Sequence, residues 1–287
     1  MTTDKRPDTT KEEDTMYAVM QAIFESGIPI SFKGSMVLKA FLIEAGYQGE
    51  VRHTKDIDGN WNTDYPPTSE QVADSIQKAL HDGGMRNFDV QLFRKHGEKR
   101  AVGIAVLDRE TGEKVFKMDI DVNRTQPQTQ LYEIDGIVFS GTVPMQMIAD
   151  KVASISSDRI FRRVKDVIDL YYISQVVLPD REYVDKAMKD SSRELGTFES
   201  FFRRKNDIRH AYEKFNLEGN AKKPDFEEVY GRAASFLIGL YPEELKSFAD
   251  VGSTLGMSMG DSFPERRESK KKRGAQVLPQ RNAAKVF

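Results

Sequence analysis

Apolar positions along the chain change their spacing twice. Met16, Met20, Ile23 and Phe24 recur at helical spacing, and Gly27 and Pro29 end that helix. A short apolar segment from Ile28 to Phe32 follows, interrupted by Gly34-Ser35. Met36 to Ala45 is apolar on almost every side except at Lys39 and Glu44, which predicts a helix deep in the core, closed by Gly46 and Gly49. The middle third turns to strand spacing. Strands are predicted over Thr54 to Trp61, Phe88 to Phe93, Ala101 to Leu107, Lys114 to Val122 and Tyr132 to Phe139. One amphipathic helix lies among them, marked by Val72, Ile76, Ala79 and Leu80 and stopped by Gly83-Gly84. His96-Gly97-Glu98 and Glu110-Thr111-Gly112 have hairpin chemistry.

After Pro144 the strand signals nearly vanish. Helical patterns occupy Pro144 to Ser154, Arg159 to Val176, Arg181 to Lys189, Asn206 to Phe215 and Phe226 to Leu240. The pattern predicts an α+β chain with a core of mixed sheet and flanking helices over residues 16–143. An all-helical lobe follows over 144–243, with a flexible polar arm at 1–15 and a low-order basic tail at 244–287.

Composition narrows the chemistry. Cysteine is absent from the 287 residues, which excludes disulfides, thiolate-ligated metals and thiol catalysis. The first fifteen residues contain no apolar run, and no stretch approaches the ~20 apolar residues of a membrane span. A cytoplasmic protein without membrane partners is the expectation. The formal charge of −2 hides regional differences, because residues 265–287 hold eight basic and two acidic side chains. Such a tail either binds RNA phosphates or solubilises the chain.

Two Asp-x-Asp pairs, Asp56/Asp58 and Asp119/Asp121, carry the candidate chemistry. With 24 Asp in 287 residues, about two such pairs arise by chance, so their context must supply specificity. Met118, Ile120 and Val122 alternate with Lys117, Asp119 and Asp121, and Ile57 alternates with Asp56 and Asp58. Each pair thus falls on one strand face, where it can converge on a divalent ion or remain a solvated surface. Gly34-Ser35 precedes the buried helix, and Ser35 fits either an N-cap or a phosphate site at the helix start. Between Arg159 and Tyr171, Phe161, Val164, Ile168 and Tyr171 predict one helical stripe, with Arg162/Asp166 and Lys165/Asp169 as i,i+4 pairs.

In order and spacing these segments resemble the AbiEii-type nucleotidyltransferase toxins, within the polymerase-beta-like superfamily. The resemblance rests on Phe32-Lys33-Gly34-Ser35-Met36-Val37-Leu38, Thr54-Lys55-Asp56-Ile57-Asp58, Met118-Asp119-Ile120-Asp121, Lys151, and Arg163-Val164-Lys165-Asp166-Val167-Ile168-Asp169-Leu170. It covers about residues 28 to 175, and its most family-specific piece is the Arg-x-Lys-Asp-x-x-Asp-Leu segment. It implies a two-lobed enzyme with its active site in the cleft, using Mg²⁺ or Mn²⁺ to transfer a nucleotide from an NTP to an RNA acceptor, tRNA above all. A cognate antitoxin and a role in phage defence are implied with it.

The resemblance gives the metal to Asp56 and Asp58 and a third carboxylate to Asp119 or Asp121, with Asp121 favoured. Gly34 and Ser35 would cradle phosphates, and Lys151, Lys165 and Arg159 would neutralise them, with Asp166 or Asp169 orienting the lysines. Thr54 is assigned to packing. The loop of roughly twenty residues before Asp56, with Glu50, Arg52 and His53, stretches the family pattern. Two other functions fit the same residues: a non-catalytic nucleotide- or RNA-binding module, and an NTP-dependent kinase or phosphohydrolase.

Overall fold

A computed structural model describes residues 9–95, 101–122, 128–178, 180–217 and 222–248. The His96-Gly97-Glu98 turn and the basic residues of 265–287 lie outside them.

Helix α1 (Lys11–Glu25) starts with a capping box, Thr10 and Glu13 each accepting the other's backbone N–H. Residues 11–15, expected in the arm, therefore belong to the helix. Strand β1 (Ile30–Lys33) runs directly into α2 (Gly34–Glu44), and β2 (Asp56–Trp61) returns antiparallel to β1. Helix α3 (Ser69–Asp82) leads to β3 (Phe88–Arg94), β4 (Ala101–Asp108) and β5 (Lys114–Asp121), an antiparallel meander. The predicted strand Tyr132 to Phe139 is in fact two, β6 (Thr129–Ile134) and β7 (Ile137–Thr142). Asp135 and Gly136, at φ 50° and 80°, form the tight turn between them.

The seven strands join in the order β3-β4-β5-β2-β1-β7-β6, with β2/β5 and β1/β7 parallel. Alternation separates the two faces of the central strands. Ile30, Phe32, Ile57, Met118 and Ile120 form one face, buried under the helical layer. Tyr17 of α1 packs on Phe139, which meets Phe32 edge-on. Lys33, Asp56, Asp58, Asn60, Asp119 and Asp121 share the opposite face, as the register Lys33↔Asp58↔Asp119 and Asn60↔Asp121 requires.

After Val143 every described element is helical. These are α4 (Pro144–Ile155), a 3₁₀ turn at Ile160–Arg162, α5 (Val164–Ile173), α6 (Arg181–Asp190), α7 (Glu199–Arg203), α8 (Lys205–Lys214), α9 (Phe226–Leu240) and a 3₁₀ turn at Lys246–Phe248. The helix predicted from Arg159 breaks at Arg163, whose φ of −115° and ψ of 23° separate the turn from α5. Phe161 therefore leaves the apolar stripe and is 37% exposed. Residues 244–248, expected in the tail, pack on the lobe: Leu245 is buried, and Phe248 stacks on Phe202 with centroids 4.6 Å apart. Tyr47 of the core meets Tyr172 of α5 edge-on at 5.8 Å, part of the contact between lobe and core. No described helix is long and apolar enough to cross a membrane.

Candidate active site

The parallel pairing of β2 and β5 places Asp58 opposite Asp119 and Asn60 opposite Asp121. Burial and the neighbouring carboxylates Asp56 and Asp119 push the Asp58 carboxyl up to about 6, against the pull of Lys33 and Lys151. Lys151, from the helical lobe, is thus near enough to Asp58 to act on its charge. Lys33 was not singled out from the sequence. Its ammonium donates to Asp121 Oδ2 at 2.5 Å and to Asn60 Oδ1 at 2.7 Å. Arg94, also missed, pairs with Asp119 Oδ1 at 2.5 Å, both side chains being partly exposed. The register gives Asp119 and Asp121 different neighbours. Asp119 stands beside Asp58, while Asp121 stands two positions further along β5 and accepts from Lys33.

Gly34 begins α2 with φ +75°, a conformation glycine tolerates best. A β-carbon there would stand 2.6 Å from Asp58 Oδ2, so the helix start lies hard against the carboxylates. The N-cap position belongs to Lys33, which makes no side-chain cap, and not to Ser35 as one of the expected options had it. Ser35 Oγ instead accepts from Arg52 Nη2 at 2.6 Å. Without a side-chain cap, the first-turn N–H groups keep their affinity for an anion.

Arg52 is the centre of a buried ionic network that spans 117 positions of sequence. Its guanidinium grips Asp169 with Nε at 2.7 Å and Nη2 at 2.9 Å. Lys151 Nζ lies 2.7 Å from Asp169 Oδ2 and 2.8 Å from Asp166 Oδ1. Burial alone would raise the Asp169 carboxyl, but Arg52 and Lys151 hold it down at about 2. Burial likewise opposes charge on Arg52 and Lys151, and the carboxylates around them raise both above their ordinary values. The expected pairs Arg162/Asp166 and Lys165/Asp169 are replaced by these contacts, because Asp169 points inward and is fully buried. Lys165 is exposed and lines a cavity of about 70 Å³ with Arg52, Thr54, Asp56, Phe215 and Asn216. Arg159 is not brought to that cavity; it lines another, with Arg162 and Arg163.

Beneath Asp56 lies a second network. Glu13 is wholly buried; its Oε2 meets Lys39 Nζ at 2.9 Å and His53 Nδ1 at 2.7 Å, and its Oε1 accepts the Thr54 N–H at 3.2 Å. Thr54 Oγ1 then donates to Asp56 Oδ1 at 2.7 Å, so Thr54 orients a carboxylate as well as packing. It lies two residues before Asp56, just ahead of β2, and that spacing was the available signal.

Among the described residues, no three His, Asp or Glu side chains stand close enough to hold a metal by themselves. The donor set nevertheless fits a hard divalent ion. Mg²⁺ commonly takes one or two carboxylates and completes its shell with water and substrate phosphate. Asp56 and Asp58 could supply two carboxylates, and a cation between them would relieve the repulsion that raises Asp58.

A mixed sheet thus carries a one-sided carboxylate cluster, with the uncapped start of α2 beside it and Lys151 of the helical lobe near it. The chain belongs to the nucleotidyl transferase AbiEii toxin family of type IV toxin–antitoxin systems, whose profile matches residues 19–251. Among solved structures it is similar to MenT4, a nucleotidyltransferase toxin from Mycobacterium tuberculosis H37Rv. The two share 15% identity with a TM-score of 0.52 over 85% of this chain and 91% of that one, a likeness of fold. An antigenic nucleotidyltransferase-like protein from Paracoccidioides brasiliensis is also similar, at 14% identity and TM-score 0.42 over 71% of this chain and 94% of that one. Comparison with curated proteins finds no match. Family membership implies an NTP substrate and an antitoxin partner.

Proposed function

We propose that this toxin transfers an NMP from a Mg²⁺- or Mn²⁺-bound NTP to an RNA acceptor of the tRNA class in the cytoplasm, as part of phage defence. The observation that carries the proposal is the uncapped start of α2 lying against Asp58, with the strand carboxylates beside it. The divalent ion, held by Asp56 and Asp58, would neutralise the triphosphate and polarise the attacking hydroxyl.

The chain's own groups do the rest. The backbone N–H groups at Gly34 and Ser35 bind a phosphate. Lys151, kept charged by Asp166 and Asp169, faces the same anion from the helical lobe. Lys165 adds positive charge at the cavity beside Asp56. Asp119, with 40% of its side chain exposed, takes the proton of the incoming hydroxyl. A bond forms between acceptor oxygen and α-phosphorus, the α–β bond breaks, and pyrophosphate leaves. Asp169 reaches no substrate and acts as a positioning residue for Arg52 and Lys151.

Incubation with each α-labelled NTP, Mg²⁺ and total tRNA tests the assignment beside Asp56→Ala. Labelled RNA that depends on Asp56 is the expected result. Label surviving in the Asp56→Ala reaction, or release of inorganic phosphate in place of pyrophosphate, would overturn it.

A further inference from the structure

Arg159, Arg162 and Arg163 are all exposed and line, with Ser157 and Asp158, an open cavity of about 570 Å³. None of the three makes an ion pair among the described residues. The other described arginines of the lobe behave differently. Arg181, Arg193, Arg203, Arg204 and Arg209 each pair with a carboxylate. Three like charges gathered without partners repel one another, and an incoming anion relieves that repulsion.

The same patch carries an exposed aromatic ring. Phe161 is 37% exposed, with the Arg162 guanidinium 5.8 Å and the Arg204 guanidinium 5.2 Å from its centroid. Unpaired cations beside a ring and guanidinium planes offer charge to phosphates and flat surfaces to bases. A single nucleotide offers one base and one phosphate chain, whereas a strand offers bases and phosphates spaced along a surface. The patch also adjoins, along the chain, the helix that reaches the cleft. Arg163 is the residue before α5, whose Lys165 lines the cavity at Asp56 and whose Asp166 bonds Lys151.

We propose that Arg159, Arg162, Arg163 and Phe161 bind a single-stranded polynucleotide and lead it into the carboxylate cleft. This rests on the transferase reading only in naming that strand as the acceptor. It reassigns Arg159 from the NTP to the strand.

The test is fluorescence anisotropy of the full chain with a labelled single-stranded RNA 12-mer, and with DNA of the same sequence, across a KCl series without NTP. Arg162→Gln should lower the slope of log K against log salt by about 0.7, one phosphate contact. Phe161→Ala should weaken binding roughly five-fold or more. Arg159→Gln should weaken the strand and leave NTP affinity unchanged. The basic tail is common to every variant and cancels in these ratios. Preference for RNA over DNA, or equal binding of both, supports a strand surface, the first adding 2′-hydroxyl readout. Unchanged affinity and slope in Arg162→Gln and Phe161→Ala overturn the proposal. So does a loss of NTP affinity alone in Arg159→Gln, or a loss of antitoxin binding alone in Arg162→Gln. Patch-dependent binding without NMP transfer would instead count against the transferase reading and leave the patch standing.

Discussion

A β-carbon at Gly34 would stand 2.6 Å from Oδ2 of Asp58. The start of α2 and the first carboxylate strand therefore approach as closely as backbone permits. Gly34→Ala introduces that contact at φ +75°. The backbone penalty is about 1–2 kcal/mol, and relief requires Asp58 or the helix start to move. The expected outcome is a modestly lower melting temperature with at least a roughly ten-fold weaker NTP affinity by calorimetry. NTP binding left intact in Gly34→Ala would show that the phosphates lie elsewhere.

Asp58 should make the metal-free protein less stable at alkaline pH. Its folded pKa of about 6 exceeds the ordinary 3.8, owing to burial first and then to Asp56 and Asp119. A raised pKa contributes stability fully present below the unfolded value and lost as pH rises through the folded one. Asp58→Asn should therefore raise the melting temperature at pH 8, corresponding to about 1–3 kcal/mol, with little effect at pH 4. Mg²⁺ should stabilise the wild type at pH 8 and fail to stabilise Asp58→Asn. A variant melting like the wild type at pH 8 would contradict the assigned repulsion.

The one-face carboxylates were legible because strand alternation is a local rule. Asp56, Asp58, Asp119 and Asp121 needed only their own neighbours to be placed. The buried α2 and most of the helices after Pro144 were legible for the same reason, although the break at Arg163 and the short α7 were not. What depends on distant pairing was not. Arg52 gives no local sign that it will meet Asp169, and only the packing of α5 on the core brings them together. Asp119 and Asp121 look equivalent in sequence, and the strand register with β2 and the reach of Lys33 distinguish them. The β6/β7 hairpin escaped because the apolar run flanking Asp135-Gly136 reads as one strand, although Asp-Gly is itself a turn signal.

The Arg52–Asp169 pair should be costly to break from either side. Asp169 is fully buried and engages both Arg52 and Lys151, so Asp169→Asn leaves two buried cations short of their shared anion. A loss of about 3–5 kcal/mol is expected by chemical denaturation. The acid limb follows the same logic with the opposite sign to Asp58. The stabilisation is present above the usual carboxylate pKa and fades as pH falls toward about 2. Arg52→Gln with Asp169→Asn should lose less than the sum of the single changes. Additive losses would mean that the two groups do not act as a pair.

Thr54 tests whether orientation of Asp56 matters separately from its charge. The Thr54 N–H is held by Glu13, and its hydroxyl donates to Asp56 Oδ1 at 2.7 Å. Thr54→Val keeps the volume and removes the hydroxyl, whereas Thr54→Ser keeps the hydroxyl. A freed carboxylate rotates away from its productive position, so Thr54→Val should lower kcat roughly ten-fold while KM for NTP changes little. Thr54→Ser should restore most of that loss. Glu13→Gln acts one step further out. It removes the charge that Lys39 and His53 contact and should destabilise the fold by about 3 kcal/mol or more. Steady-state kinetics of the threonine variants, with melting curves for all three, separate the two effects. If Thr54→Val and Thr54→Ser lose the same activity, packing accounts for Thr54 and its hydrogen bond to Asp56 has no catalytic consequence.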